Sequence, residues 1–158
     1  MTDRSDMREY VTAIVADEMM GLPILQVQDV FVPEGITRVP LAPTEIAGVI
    51  NLRGRIVTLV DLRPRLGMAP RESDAPVMAI GVEAGGESFG LLIDSIGEVL
   101  QLADAEREPN PLHLDPRLAL VSSGIYRLDG RLLMVIDVDR VLEIETAAHR
   151  SIKGRGIN

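Results

Sequence analysis

Leu52-Arg-Gly-Arg-Ile-Val-Thr-Leu-Val-Asp-Leu62 holds a tight turn, an apolar run and an aspartate, in that order. The pattern returns in Leu128-Asp-Gly-Arg-Leu-Leu-Met-Val-Ile-Asp-Val138, at an offset of 76 residues (128 − 52). Leu, Gly, Arg and the terminal Asp coincide, and the apolar positions between them match in kind. Asp129-Gly130 predicts a type I′ hairpin turn, because both residue types tolerate positive φ, and Arg53-Gly54 reads as the same device. A second pair of blocks repeats at an offset of 69 (90 − 21): Gly21-Leu-Pro-Ile-Leu-Gln-Val-Gln-Asp-Val30 and Gly90-Leu-Leu-Ile-Asp-Ser-Ile-Gly-Glu-Val99. The second copy therefore carries seven extra residues (76 − 69), and the prolines at 109, 111 and 116 assign them to Ala103–Arg117. Two matched blocks in one order argue for two related β half-domains. Each alone would be marginal, so a shared core is expected.

Outward from these blocks the chain reads as further short strands. Tyr10–Ala16 alternates and is β-branched, and Val77–Val82 and Phe89–Ile93 flank a Gly-Gly hairpin signal. Short helical turns are expected at Pro43–Ile46, Leu62–Leu66 and Asp139–Leu142, and no long helical period exists. The class is all-β, with turns spaced as in sandwiches and small barrels.

Composition narrows the function. The 158 residues carry Lys+Arg 16 against Asp+Glu 24, a net charge of −8, which repels phosphate backbones. The four rings Tyr10, Phe31, Phe89 and Tyr126 are too scattered to stack bases. Nucleic acid is thus an unexpected ligand. Cysteine is absent, which excludes thiolate metal sites and cysteine nucleophiles and fits a reducing cytoplasm. No apolar run approaches the ~20 residues that span a bilayer, and the N-terminus lacks a secretory pattern.

Catalytic signatures are missing. His113 and His149 have no ligand-spaced partner, and no nucleophile elbow, Walker loop or HExxH occurs. Asp61, Asp94 and Asp137 each end an apolar strand. They read as caps or turn acceptors, and a carboxylate cluster for acid–base or metal chemistry is the rival. Arg53, Arg55, Arg63, Arg65 and Arg71 concentrate positive charge. Two readings stand: a solvated surface, or a basic site for an acidic protein partner. Arg53 is matched in the repeat by Asp129, a change of sign at one turn. Leu22, Ile24, Val27, Val30 and Phe31 are core or the lining of a groove for a partner helix.

Gly21–Val30, Ile36-Thr-Arg-Val-Pro40, Gly48-Val-Ile-Asn-Leu-Arg-Gly-Arg-Ile-Val-Thr-Leu-Val-Asp-Leu-Arg63, Phe89–Val99 and Gly130–Leu142 together resemble the CheW family of bacterial chemotaxis coupling proteins. The resemblance covers residues 8–145, leaving 1–7 and 147–158 as flexible termini. It implies two five-stranded SH3-like β-barrels on a shared hydrophobic core. It implies binding rather than catalysis, with no cofactor or metal: an adaptor between the regulatory domain of the histidine kinase CheA and the signalling tip of membrane-bound, methyl-accepting chemoreceptors. The expected place is the cytoplasm, at receptor arrays, without membrane insertion. By the same resemblance, Val27, Asp29, Val30 and Arg53 match receptor-coupling positions, with an Asp29–Arg53 ion pair across the groove. Gly48 matches a closely packed backbone position, and Gly54 joins it as a structural or kinase-side residue. The Pro109–Arg117 loop is a candidate second contact within arrays. Two alternatives remain: a scaffold of a chemosensory pathway that does not control swimming, and a β-barrel module for another acidic protein.

Overall fold

The computed structural model describes residues 6–143. Ten strands form two five-stranded sheets. Strands β1 (Met7–Val15), β2 (Glu18–Pro23), β8 (Ser95–Ala103), β9 (Ser122–Leu128) and β10 (Arg131–Ile136) build the first, in the order β8-β1-β2-β10-β9. Strands β3 (Asp29–Phe31), β4 (Ile46–Leu52), β5 (Arg55–Asp61), β6 (Met78–Ala84) and β7 (Glu87–Ile93) build the second, in the order β3-β6-β7-β5-β4. Two short helices are added, α1 (Leu62–Arg65) and α2 (Pro116–Val121), and a helical segment begins at 138. The strands expected from sequence are all present, as are the helical turns after Asp61 and Asp137. Pro43–Ile46 is a single turn closed by the Ile46 N–H on the Pro43 carbonyl at 2.9 Å. β1 starts at Met7, inside the segment expected to be a flexible N-terminus, while residues 1–5 and 144–158, with His149, lie outside the described residues.

The duplication is visible in the pairing. Gly21 lies opposite Val135 in a parallel ladder, and Gly90 opposite Leu59. These are one contact made twice, at the offsets of 69 and 76 read from the sequence. Each sheet is also closed by the same single bridge, Thr37 to Val49 and Glu108 to Ile125. Five of the seven extra residues fall between that bridge and β9, where α2 stands, and two before it ((125 − 108) − (49 − 37) = 5). Neither subdomain coincides with one repeat unit, however. The second is continuous, residues 29–93, whereas the first is assembled from both ends of the chain. The chain crosses between subdomains twice, at 24–28 and at Asp94.

Strand alternation distributes the core. Val57 and Leu59 of β5 face a cluster inside the second subdomain, and Leu133 and Val135 of β10 face one inside the first. The intervening Val60, Met134 and Ile136 face a larger cluster that also takes in Ala13, Leu22, Ile80, Leu91 and Ile93. This cluster draws on both sheets and is the shared core. Strands buried on both faces carry near-continuous apolar runs, which is why Arg55–Val60 and Arg131–Ile136 read as they do.

The turns correct one expectation. Arg53 and Gly54 both have positive φ (53° and 82°), the type I′ signature, but at Asp129-Gly130 only the glycine does (75°). Without a positive φ at its first central residue, that link is not type I′, although it still joins Leu128 to Arg131 across two residues.

Candidate functional site

The first crossing is a 3₁₀ turn, Ile24–Gln26, that runs into β3. Val27 closes the turn through its N–H on the Ile24 carbonyl at 3.1 Å and packs its half-buried side chain on the shared core. Leu22 behind it is wholly buried, Val30 is exposed, and Phe31 turns inward against the second subdomain's core. The apolar set singled out from sequence is thus divided between core and surface by strand alternation. Asp29 pairs with Gly81, and its carboxylate occupies the space where a Cβ at Gly81 would stand. Asp29, Phe31, Leu52 and Arg55 border a small cavity of ≈ 30 Å³ in the second subdomain.

Arg53 tips the β4–β5 hairpin and is exposed. The expected ion pair with Asp29 is not formed: Arg53 points from an exposed turn, while Asp29 is held over Gly81. Among the described residues neither makes a salt bridge. Arg55, two residues on, is the arginine that shares a cavity with Asp29, and it donates to the Ser88 hydroxyl at 3.3 Å. A left-handed arginine is costly by ~1 kcal/mol against Gly or Asn at the same place. Gly54 follows it and donates its N–H to Asn51 Oδ1 at 2.8 Å.

Gly48 sits on the bulge of β4 with φ +147°, where an added Cβ would overlap the Thr37 carbonyl oxygen of the closing bridge. Gly124, its repeat counterpart (48 + 76), has φ +140° and lies under Glu108 in the same way. Both glycines are where they are because a second backbone crosses above them.

The five arginines do not make one basic surface. Arg63 grips Asp94 with two bonds, Nε to Oδ1 at 3.0 Å and Nη2 to Oδ2 at 2.6 Å. Arg71 reaches Asp94 Oδ1 at 3.0 Å and Asp61 Oδ2 at 3.1 Å. Arg65 is buried and donates to the carbonyls of Val141 and Arg140, and burial lowers its pKa. Only Arg53 and Arg55 remain for a partner, because the other three are spent inside the fold.

The aspartates part company too. Asp61 caps α1 through the Arg63 N–H at 3.1 Å, and Asp137 plays the same part for the segment after it through the Arg140 N–H at 3.2 Å. Asp94 caps no helix; it accepts the Ala16 N–H of the β1–β2 turn, as a turn acceptor should, and is also the centre of the arginine pair. Although burial opposes its ionisation, bonds from Arg63, the Ala16 N–H and Arg71 outweigh this and hold its carboxyl at about 2. Among the described residues no three His, Asp or Glu side chains are grouped to hold a metal.

A feature the sequence reading missed is a pair of loop tips. Leu41 and Leu112 are both 98% exposed, and each follows a proline four residues beyond its subdomain's closing bridge (41 − 37, 112 − 108). Aligning the bridges instead of the strands would have matched Pro40-Leu41 with Pro111-Leu112.

Comparison with known proteins bears on this arrangement. The family model described as "CheW-like domain" matches residues 9–146. The chain belongs to the CheW-like domain family. Its CheW relatives include "Chemotaxis protein CheW" of Helicobacter pylori, 28% identical over 141 residues, covering 89% of this chain and 85% of that one. The protein of the same description from Rhizobium meliloti is 28% identical over 138 residues, covering 87% and 89%. A solved CheW-like structure, scaffolding protein TtCheW from Thermoanaerobacter tengcongensis, superposes with a TM-score of 0.73 at 32% identity, over 82% of this chain and 88% of that one. For a CheW-like domain the two SH3-like subdomains are the expected architecture, and the two closed five-stranded sheets match it.

Proposed function

We propose that this chain is a chemotaxis signal-transduction adaptor that couples chemoreceptors to the histidine kinase CheA by protein–protein binding. The observation that carries the reading is the CheW-like match across residues 9–146, nearly the whole chain. Val27, Asp29, Val30 and Arg53 form the receptor side. Val30 offers an exposed apolar contact, Val27 links it to the core, and Arg53 presents an unpaired guanidinium from a turn. Such a surface suits the apolar-and-acidic face of a helical hairpin, the signalling tip of a receptor. Gly48 and Gly54 hold the β4–β5 hairpin in shape and act from the structural or kinase side, where the regulatory domain of CheA docks. The Pro109–Arg117 loop, with Leu112 at its tip, is a second contact in the array. No described helix is long and apolar enough to cross a membrane.

The test is reconstitution with CheA and receptor-bearing vesicles, read as receptor-dependent ATP turnover by the kinase. Arg53→Glu should lower stimulation about tenfold, the equivalent of one charge-assisted bond, with an unchanged circular dichroism spectrum. Undiminished stimulation by that variant would remove Arg53 from the site. Failure of the unaltered chain to bind either partner would overturn the adaptor reading.

A further inference from the structure

The two crossings between subdomains are repeat-equivalent but are not built alike. Leu25 and Asp94 occupy the same repeat position (94 − 69). Leu25 is 93% exposed, and the bonds of the first crossing beyond its own turn, Gln28 to the Gly81 carbonyl and to Glu83, reach only the second subdomain. Asp94 is bonded on both sides. Toward the first subdomain, its N–H donates to the Ile14 carbonyl at 3.0 Å, and its Oδ2 accepts the Ala16 N–H at 2.8 Å from the tip of the β1–β2 hairpin. Toward the second subdomain it takes Arg63 and Arg71, which approach from α1 and from the loop between α1 and β6. Two carboxylates, Asp61 and Asp94, balance the two guanidiniums, and all four side chains are at most 21% exposed. Arg71 Nη2 is buried with no hydrogen bond and only a charge contact to Asp94 Oδ1 at 3.0 Å, but Asp94 itself is bonded from both subdomains, and charged groups so screened from water hold a fixed geometry.

We propose that Asp94 is a positioning residue for coupling: it clamps the second crossing, fixes the angle between the subdomains, and thereby sets the separation of the crossing segments that carry Val27–Val30 and Ile96–Val99. The inference rests on the adaptor reading. The repeat makes those two segments equivalent, and both put apolar side chains in solvent, Val30 on one and Ile96 and Val99 on the other. A partner that touches both would feel the angle. With one crossing hydrogen-bonded to both subdomains and the other to the second alone, the angle turns about Asp94 and any change appears at the first crossing, where Val27 and Asp29 lie.

The absence of cysteine makes the angle measurable. Spin labels on Glu87→Cys and Asp129→Cys, exposed positions in the second and first subdomains, give an inter-subdomain distance distribution by double electron–electron resonance. In that background Asp94→Asn and Arg71→Gln should broaden or shift the distribution and lower receptor-dependent kinase stimulation about two- to tenfold. Arg71→Gln leaves the Ala16 and Arg63 bonds in place and serves if Asp94→Asn does not fold. Arg8→Gln, which breaks the exposed pair with Asp104, should change neither readout. Variants that melt lower but keep the unaltered distribution and stimulation would show that Asp94 only stabilises, and the proposal would fall. An unaltered chain that gives no stimulation would sink the adaptor reading instead, a failure the distance measurement distinguishes because it needs no partner.

Discussion

The two subdomains share a strand order and differ in filling. Inside the first, Tyr10 and Tyr126 meet with ring centroids 5.6 Å apart and hydroxyls 3.3 Å apart, fully buried. Burial, then the bond with Tyr10, pushes the Tyr126 hydroxyl above its ordinary pKa. The equivalent places in the second are Ala79 and Ile50 (10 + 69, 126 − 76). One cross-strand contact changes sides, one residue out of repeat register, since Gly97 corresponds to Gln28 and Glu98 to Asp29 (97 − 69, 98 − 69). In the first subdomain Thr12 of the hairpin strand covers Gly97 of the crossing strand and donates to the Glu98 carbonyl at 2.6 Å. In the second the crossing strand supplies the side chain, Asp29, and the hairpin strand the glycine, Gly81. The first subdomain thus has a neutral hydroxyl bonded into its sheet, and the second a carboxylate at the edge of a cavity. Duplication supplied one scaffold twice, and divergence put bulk into one copy and exposed polarity into the other.

That contrast can be broken most severely at Tyr126. Tyr126→Ala should cost about 3–5 kcal/mol in urea unfolding, against roughly 2–3 kcal/mol for Ile50→Ala in the smaller core. Equal losses would mean that the shared core, not the separate fillings, carries the stability. Next come the glycines under the closing bridges. Gly48→Ala meets a fixed carbonyl and should cost on the order of 2–3 kcal/mol. Gly124→Ala should cost less, since two of its three nearest atoms belong to the Arg107 side chain, which can move aside.

The clamp gives a pH signature. A carboxyl held at about 2 in the fold and at its ordinary value when unfolded favours the fold above pH ~4, and the benefit fades as pH falls toward 2. Its loss should remove about 2 kcal/mol over that window, and Asp94→Asn should flatten this part of a stability–pH profile. The smallest effect separates the two hairpin turns. Arg53→Asn relieves a left-handed arginine and should add about 0.5–1 kcal/mol of stability while weakening coupling. Asp129→Asn, at a residue without positive φ, should change stability by less than ~0.5 kcal/mol. A matched gain at both turns would dissolve the distinction.

Local signals made much of this legible. Turn residues and apolar runs marked the strands, and the repeated Asp at the ends of the β5 and β10 runs marked both caps, because each depends on neighbours within a few residues. The duplication was readable as two offsets. Which strand joins which sheet was not, since nothing in Gly21–Val30 records that β3 leaves the hairpin it follows. The fate of the arginines was equally hidden. Arg63 and Arg71 resemble Arg53 in sequence, and only Asp94, 31 and 23 residues away from them, tells them apart. Arg55 beside Asp29 was missed for the same reason. Of the candidate site, the residues are on the page of the sequence, while their grouping depends on contacts between distant segments.

The first subdomain is made from both ends of the chain and encloses a continuous second one. During synthesis, β3–β7 emerge complete and can close before the rest exists. The β1–β2 hairpin emerges first, but two strands alone are marginal in water, and its partners β8 and β10 are made last. The ribosome thus delivers the insert before the subdomain that holds it, and the earliest hairpin waits longest for its sheet.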